Sequence, residues 1–292
     1  MSEDILKKRF AWEPLTPPGV AAFAGASLRR LWFVQLIFAL LAAVVVVLFL
    51  KTAWFPTVSS AIRALPAQGE IRNGKLDWPA TSPQLLADGN FLAFMVDLEH
   101  EGQMRSPAHV QVEFGRNDIY FFPLLGYQQF PYPSDRAFVF NRTDLEPKWG
   151  AWQPPILWLT FGVVVAYLMV SWTALATIYF PVVWLVGFFA NKKLNFRTSW
   201  KLAGAALMPG ALLLTAAIFF YGLGALDLVQ LAAAFAAHFV IGWIYLFAAP
   251  LFSPKLEAVI VMRNNPFATS PTETAAQSEK KPGDATSPFK PR

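Results

Sequence analysis

An apolar run from Leu31 to Leu50 constrains the fold of this 292-residue chain more than any other feature, because its 20 residues include a single polar one, Gln35. As a helix rising about 1.5 Å per residue, the run would cross the roughly 30 Å hydrocarbon core of a bilayer. The chain is also only 15% charged, whereas soluble domains average about 25%. The sequence therefore predicts an α-helical integral membrane protein.

The first run has the features of an uncleaved signal anchor. Thirty residues precede it, and the last two of them are basic, Arg29 and Arg30. The chain continues through Lys51 into Trp54 and Phe55, without the small residues that a signal peptidase requires. Residues 1–30 are thus predicted to be a cytoplasmic segment, and residues 20–30 a short interfacial helix that leads into transmembrane helix 1 at residues 31–50.

Three further spans are predicted in a membrane bundle of residues 155–251. The second crosses at about 155–180, where Pro181 kinks the helix and residues 182–190 continue along the interface. A span followed by a re-entrant segment is the alternative for 155–190. The third span is predicted at about Leu202–Tyr221 and the fourth at about Leu226–Leu251, with a glycine-rich turn between them.

Charge patterning orients the four spans. The loop of residues 191–202 has no acidic residue and four basic ones, whereas the long segment 51–154 has nine basic and eleven acidic residues. The positive-inside rule predicts both termini and the short loop in the cytoplasm, and the long segment outside, in a bacterial inner (plasma) membrane. The residues predicted to determine this topology are Arg29, Arg30, Lys192, Lys193, Arg197 and Lys201.

The long segment has the pattern of a small extracytoplasmic β-rich domain. Asn73-Gly74, flanked by short alternating stretches, predicts a hairpin with a type I′ turn. Four further strands are predicted at residues 91–98, 109–114, 119–125 and 137–140, and we expect them to form an antiparallel sheet. Residues 51–65 are predicted to extend the first span as a helix.

The C-terminal region changes character after the last span. Residues 252–264 are predicted to form a juxtamembrane amphipathic segment. Residues 265–292 are rich in proline, serine, threonine and lysine, with Phe267 and Phe289 as their two large apolar residues. Such a composition predicts a disordered cytoplasmic tail.

The residue types and motifs that catalysis or metal binding would require are largely missing from the sequence. The chain has no cysteine, which excludes thiolate catalysis, cysteine-ligated metals and disulfides. No phosphate-binding glycine loop, zinc-protease motif or nucleophile elbow is present, so the sequence predicts no catalytic, cofactor-binding or metal-binding residues, and no nucleic-acid partner. His100 lies in an acidic cluster, where a weak divalent-cation site is the alternative to a solvated strand end, and His109 is predicted to be exposed.

His238 is the one histidine inside a predicted span. Ionisable residues within a membrane are functional suspects, but no acidic partner for a proton relay lies in any span. Alanines precede His238 on the adjacent turns, and small residues allow helices to approach closely. We therefore predict an intramembrane polar contact in which His238 hydrogen-bonds to another helix.

Several short motifs resemble the bacterial domain-of-unknown-function family 1189 of membrane proteins, which is related to the Yip-type multispan proteins. The motifs are Ser27-Leu28-Arg29-Arg30, Leu65-Pro66 with Ile71-Arg72-Asn73-Gly74-Lys75-Leu76, Phe91–Asp97, and Lys192-Lys193-Leu194-Asn195-Phe196 with Trp200-Lys201 and Met208-Pro209. The resemblance covers about residues 20–262. It implies the architecture and a membrane-organising or partner-binding role, and it supplies no catalytic residues.

Three functions fit these patterns. The favoured one is a non-enzymatic membrane scaffold or accessory subunit whose external domain binds an envelope or membrane-complex partner. A transporter or channel component is the first alternative, and a membrane enzyme acting on lipid or envelope substrates is the second. Because convergent polar residues are scarce in the spans, the scaffold is preferred; its expected partners are the lipid bilayer, other membrane or envelope proteins and a second copy of the chain.

Overall fold

The computed structural model describes residues 13–254 apart from 103, 124 and 125. Its helices are α1 (Pro17–Ala22), α2 (Leu28–Phe49), α3 (Phe55–Ala64), α4 (Arg142–Phe189), α5 (Phe196–Ala206), α6 (Met208–Gly222) and α7 (Leu228–Leu251). Its strands are β1 (Glu70–Arg72), β2 (Lys75–Asp77), β3 (Gln84–Asp88), β4 (Leu92–Val96), β5 (Val110–Phe114), β6 (Asp118–Phe122), β7 (Gln128–Pro131) and β8 (Phe138–Val139). The predictions for the tail 265–292, and for most of 252–264, lie outside the described residues.

Within the described residues, four helical segments are long and apolar enough to cross a membrane, as predicted. They are Leu28–Ala64, Arg142–Phe189, Phe196–Gly222 and Leu228–Leu251. The first segment contains α2, a π-helical turn over Leu50–Trp54, and α3. The predicted helical extension of the first span is therefore present.

The second segment differs from its prediction. Instead of starting near residue 155, α4 starts at Arg142 and runs for 48 residues to Phe189, with Pro181 inside it. At about 1.5 Å per residue it is about 70 Å long, so it extends well beyond one bilayer crossing. Val183 and Gly187 near its end are buried in the protein, so residues 182–189 belong to the bundle, and no re-entrant segment is formed in this part of the chain.

The third segment is the centre of the bundle. More than half of its most apolar stretch is buried, against 11% for α4 and for α7. The buried residues of α5 include Ala203, Gly204, Ala205 and Ala206, and such small side chains let neighbouring backbones approach. A break at Leu207 precedes Pro209, which occupies the first turn of α6, where its missing N–H group costs nothing.

Local sequence explains where the helices begin and end. The side chains of Ser27, Asn141, Asn195 and Asp227 each accept a hydrogen bond from a backbone N–H group in the first turn of the following helix. The predicted glycine turn ends α6, where Gly224 has a φ of +73°. That left-handed conformation is the usual way to end a helix at glycine.

The helix predicted at residues 20–30 has a different extent in the structure. Helix α1 covers only Pro17–Ala22, and Arg29 and Arg30 already lie in the first turn of α2. Val20 and Phe23 are fully buried, because the segment packs against the bundle. Ser27, which accepts a hydrogen bond from the backbone of Arg30, separates the two helices.

The β domain contains two small sheets. One has the order β2-β1-β8 and the other β3-β4-β5-β6-β7. Arg72 pairs with Lys75 across the first hairpin, and the φ angles of Asn73 and Gly74 are +51° and +73°. Positive φ at both positions confirms the type I′ turn.

The expected all-antiparallel sheet is wrong, because β4 and β5 pair in parallel. Parallel neighbours need a crossover of about a dozen residues or more, and residues 97–109 supply it. Strands β3 and β7 were not predicted. The predicted domain boundaries of 51 and 154 also enclose helix α3 and the first turns of α4, with strands only between Glu70 and Val139.

The core of the β domain lies between the five-stranded sheet, the small sheet and α3. It is built from large side chains such as Leu76, Trp78, Val96, Tyr132 and Phe140, together with Ala61 and Leu65 from the α3 region. Helix α3 covers the β3–β4 side of the large sheet, since a Cβ atom on Gly89 would lie 2.6 Å from Thr57 Oγ1. The β5–β7 side is left uncovered by this helix.

Candidate functional site

An apolar groove lies on the uncovered part of the large sheet. Its volume is about 460 Å³, and it is lined by Val110, Phe121, Pro123, Gln128 and Phe130. Cross-strand pairing of Val112 with Phe121 and of Ile119 with Phe130 sets this groove on the face that elsewhere forms the domain core. The groove is therefore an extension of the core that no described element of the chain covers.

Exposure of these side chains is high for a domain surface. Phe130 is 50% exposed and packs edge-on against Phe121, with ring centroids 5.6 Å apart. Where such a surface meets water, adjoining exposed apolar side chains indicate an interaction site.

Two continuous helices hold the domain against the bundle. The indole N–H of Trp149, on α4, donates to Ser59 Oγ at 2.9 Å, and its ring packs edge-on against Phe55. Arg63 of α3 pairs with Glu146 of α4 at 3.3 Å. The two helices that leave the bundle thus remain packed against each other inside the domain.

A third attachment joins the domain to the end of α6. His109 Nδ1 contacts the hydroxyl of Tyr221, and the two rings stack at 5.6 Å. Phe91 and Phe49 pack against the same tyrosine ring. The prediction that His109 is simply exposed is therefore wrong: it belongs to this aromatic latch, which we define as Phe49, Phe91, His109 and Tyr221.

His100 lies over the opposite face of the large sheet. Its Nδ1 is 2.5 Å from Oε1 of the buried Glu113, and its ring stacks on Tyr120 with centroids 4.2 Å apart. His100 has a φ of +53°, so it lies in a turn rather than on a strand. Among the described residues no group of three or more His, Asp or Glu side chains could hold a metal ion.

Two tyrosines of the β domain lie in surroundings that favour the neutral hydroxyl. The Tyr132 hydroxyl donates to the Gly115 carbonyl at 3.0 Å, and burial raises the pKa of Tyr132 well above its ordinary value. Burial, with the nearby charge of Asp118, also raises the pKa of Tyr120. Both hydroxyls therefore remain protonated at neutral pH.

The intramembrane contact predicted for His238 is not made between helices of this chain. Its Nδ1 contacts the carbonyl oxygen of Phe235, one turn earlier on the same helix. The close helix approach is made instead at its backbone, because a Cβ atom on Gly210 would lie 2.4 Å from the His238 carbonyl oxygen. Gly210 is thus a small residue that lets α6 and α7 come together.

Lys201 and Lys192, which were predicted to determine the topology, donate hydrogen bonds to backbone carbonyls. Lys201 Nζ is buried and donates to the carbonyls of Ala24 and Ala26 at 2.6 and 2.7 Å. Lys192 Nζ donates to the carbonyl of Ser253 at 3.0 Å, beyond the end of α7. In contrast, Arg29, Lys193 and Arg197 are exposed. All six basic residues lie at the end of the bundle remote from the β domain, which we call the basic end.

Comparisons of the chain with protein families, curated proteins and solved structures returned no match. Geometry and sequence pattern therefore carry the functional argument.

Sequence reasoning missed the groove and the latch. A signal for the groove was present in the alternation of Ile119 and Phe121 on β6. Strand β7 itself, with two glutamines and a terminal proline, has no strand pattern. The latch joins His109 to Tyr221 across 112 positions. No local pattern connects residues so far apart.

Proposed function

We propose that the chain is a non-enzymatic membrane scaffold or accessory subunit that binds an envelope or membrane-complex partner through the apolar groove of its β domain. The four long apolar helices would cross a bacterial inner membrane. The basic end and both termini would face the cytoplasm, and the β domain would lie outside. The resemblance to domain-of-unknown-function family 1189 remains a prediction that agrees with this role.

The uncovered groove is the observation that carries the proposal. Fully burying a large apolar side chain contributes about 1.5–3 kcal/mol, and Phe121 and Phe130 retain part of that surface in the chain alone. A partner side chain that entered the groove would recover it. The latch and the paired helices α3 and α4 support the proposal, because a domain held in place presents its binding surface without a further ordering cost.

Topology can be tested separately, since the chain has no cysteine. Single cysteines at Asn90 and Lys193, both exposed, would be probed with an impermeant maleimide on intact cells. We expect labelling of Asn90→Cys alone, and of Lys193→Cys only after permeabilisation. Labelling of Lys193→Cys in intact cells would overturn the proposed orientation.

Partner binding can be tested by site-specific photo-crosslinking of the full chain in its native membrane. A photoreactive phenylalanine analogue would replace Phe121 in the groove, and Leu85 on β3 would be the control because it is also exposed. We expect one heterologous protein adduct of defined mass at Phe121, absent at Leu85 and weakened by Phe130→Ser. Adducts with lipid alone, or equal adducts at both positions, would rule out the groove as a partner site.

A further inference from the structure

We propose that the corner between α4 and α5, at the basic end of the bundle, binds an anionic phospholipid. We define this α4–α5 corner by the side chains of Trp184, Phe188, Lys193, Phe196 and Arg197. Lys193 and Arg197 are exposed, and Phe196 lies between them in the sequence. Positive charge beside apolar surface matches a lipid, which has a phosphate headgroup and acyl chains.

The aromatic rings of the corner are held in place but remain uncovered. Phe196 stacks on Trp184 with ring centroids 5.4 Å apart, and Trp184 stacks on Phe188 at 6.0 Å. Phe188 and Phe196 are nevertheless 62% and 63% exposed. Aromatic rings at the end of a membrane bundle lie at the level of the headgroups and the upper acyl chains. The stacked rings therefore offer an acyl chain a fixed apolar surface.

The two basic residues of the corner differ from their neighbours at the basic end. The amines of Lys192 and Lys201 donate to backbone carbonyls inside the protein, so they are not available to a ligand. Lys193 and Arg197 instead turn their charges outward. No acidic residue occurs anywhere from 147 to 226, so most of α4, the corner, α5 and α6 contain none. The exposed charge of the corner is thus complementary to an anion.

The backbone at the start of α5 favours the same anion. The positive end of the helix dipole lies at the corner, and Asn195 caps only the N–H group of Thr198. The N–H groups of Phe196 and Arg197 have no partner within the helix, and a phosphate group can accept hydrogen bonds there. In the membrane setting on which this inference rests, the corner lies among headgroups, so a phospholipid supplies the phosphate.

Native mass spectrometry of the full chain measures the lipid preference directly. The protein would be released from micelles that contain equal amounts of anionic phosphatidylglycerol and of phosphatidylcholine, which has no net charge. We expect roughly tenfold more phosphatidylglycerol to remain bound. Equal retention of the two lipids would overturn the site. Displacement of the lipid by excess inorganic phosphate would also overturn it, because the ligand would then be a free anion.

Paired variants assign the preference to the corner. Lys193→Gln combined with Arg197→Gln removes both exposed charges and leaves the buried amine of Lys201 in place, so we expect the preference to fall by roughly tenfold. Lys51→Gln combined with Lys148→Gln is the matched control, because these lysines are also exposed but lie near the β domain. The control should keep the original ratio of bound lipids. Equal loss in both pairs, or no loss at the corner, would contradict the proposal.

Photo-crosslinking separates a lipid from a protein at this surface. A photoreactive phenylalanine analogue would replace Phe196 in the full chain in its native membrane. We expect adducts with phospholipid. A protein adduct of defined mass would overturn the lipid site, because the surface would then belong to a partner protein.

The lipid site and the partner groove fail independently. A phosphatidylglycerol preference that the corner variant removes, without a protein adduct at Phe121, would retain the lipid site and reject the groove. A protein adduct at Phe121 without any lipid preference would do the reverse.

Discussion

The helical bundle and the β domain both bury large apolar side chains, but the bundle also exposes many of them. The centre of the bundle is α5, with small residues such as Ala203 and Gly204, while large side chains such as Trp158 and Phe235 point outward. The β domain has large side chains such as Trp78 and Phe140 inside. In the proposed membrane setting lipid covers the outward side chains of the bundle, so exposed apolar surface carries functional information only on the β domain.

The same comparison distinguishes the apolar groove on α7 from the apolar groove on the large sheet. The groove on α7 is lined by residues of that one helix between Phe239 and Leu251, and lipid chains would fill it. The groove on the sheet lies in a domain proposed to face water, where uncovered Phe121 and Phe130 are unfavourable. Only the second groove therefore supports a partner site.

The largest expected effect on stability comes from Gly210, where the backbones of α6 and α7 approach closely. Gly210→Ala would place a methyl group 2.4 Å from the His238 carbonyl oxygen, and a backbone carbonyl cannot rotate away. We expect a loss of about 3 kcal/mol in the free energy of unfolding, measured by denaturation in mild detergent. Gly162→Ala is the matched control, because no atom lies within 4 Å of its added Cβ; it should be neutral or stabilise α4 slightly. Equal stability of the two variants would show that α6 and α7 are not packed in this way.

A smaller loss of stability is expected at Lys201, whose amine holds the segment before α2. Lys201→Met keeps most of the side-chain length but leaves the carbonyls of Ala24 and Ala26 without their donor. We expect a cost of about 2 kcal/mol and faster proteolysis between residues 13 and 26. Lys193→Met, which changes an exposed lysine, is the control. If both variants resist protease equally, the Lys201 contacts do not hold this segment.

In the β domain, Gly74 is required because of its positive φ angle, whereas Gly210 is required because of its small size. Gly74 has a φ of +73°, and the nearest atom to its added Cβ would be 3.5 Å away. We expect Gly74→Val to cost about 1–2 kcal/mol because a β-branched residue is strained there, seen as a lower melting temperature of the full chain. Gly74→Asn, which tolerates the left-handed region, should lose less. A valine variant as stable as the asparagine one would contradict the type I′ turn.

The parts of the fold that sequence predicted are those that depend on neighbouring residues. Apolar runs located the four long helices, and Asn73-Gly74 located the hairpin, because length and φ preference are local properties. The parallel pairing of β4 with β5 depends on how the crossover 97–109 packs, and the start of α4 at Arg142 is marked by the capping side chain of Asn141. Neither leaves a signal in periodicity.

Partners of single polar residues were harder still to predict. Lys201 fits a positive-inside pattern whether its amine is solvated or buried, so the pattern did not reveal its contacts with Ala24 and Ala26. His109 begins an alternating strand, and its partner Tyr221 lies at the end of a distant helix. In both cases the residue type was informative, but the geometry decided the role.

The smallest expected effect on stability concerns the side chain of His238, which is half-buried. Its ring contacts the Phe235 carbonyl on its own helix, and that carbonyl already has a place in the helical ladder. His238→Leu and His238→Gln should therefore each change stability by less than about 0.5 kcal/mol, as substitutions that remove no hydrogen bond between helices do. Denaturation of both variants in detergent, with complementation of a deletion strain, measures this. If leucine destabilises by more than about 1 kcal/mol while glutamine does not, the side chain bonds to a helix of another molecule. If both variants reach normal levels and both fail to complement, titration of the imidazole is required, and the transport alternative replaces the scaffold.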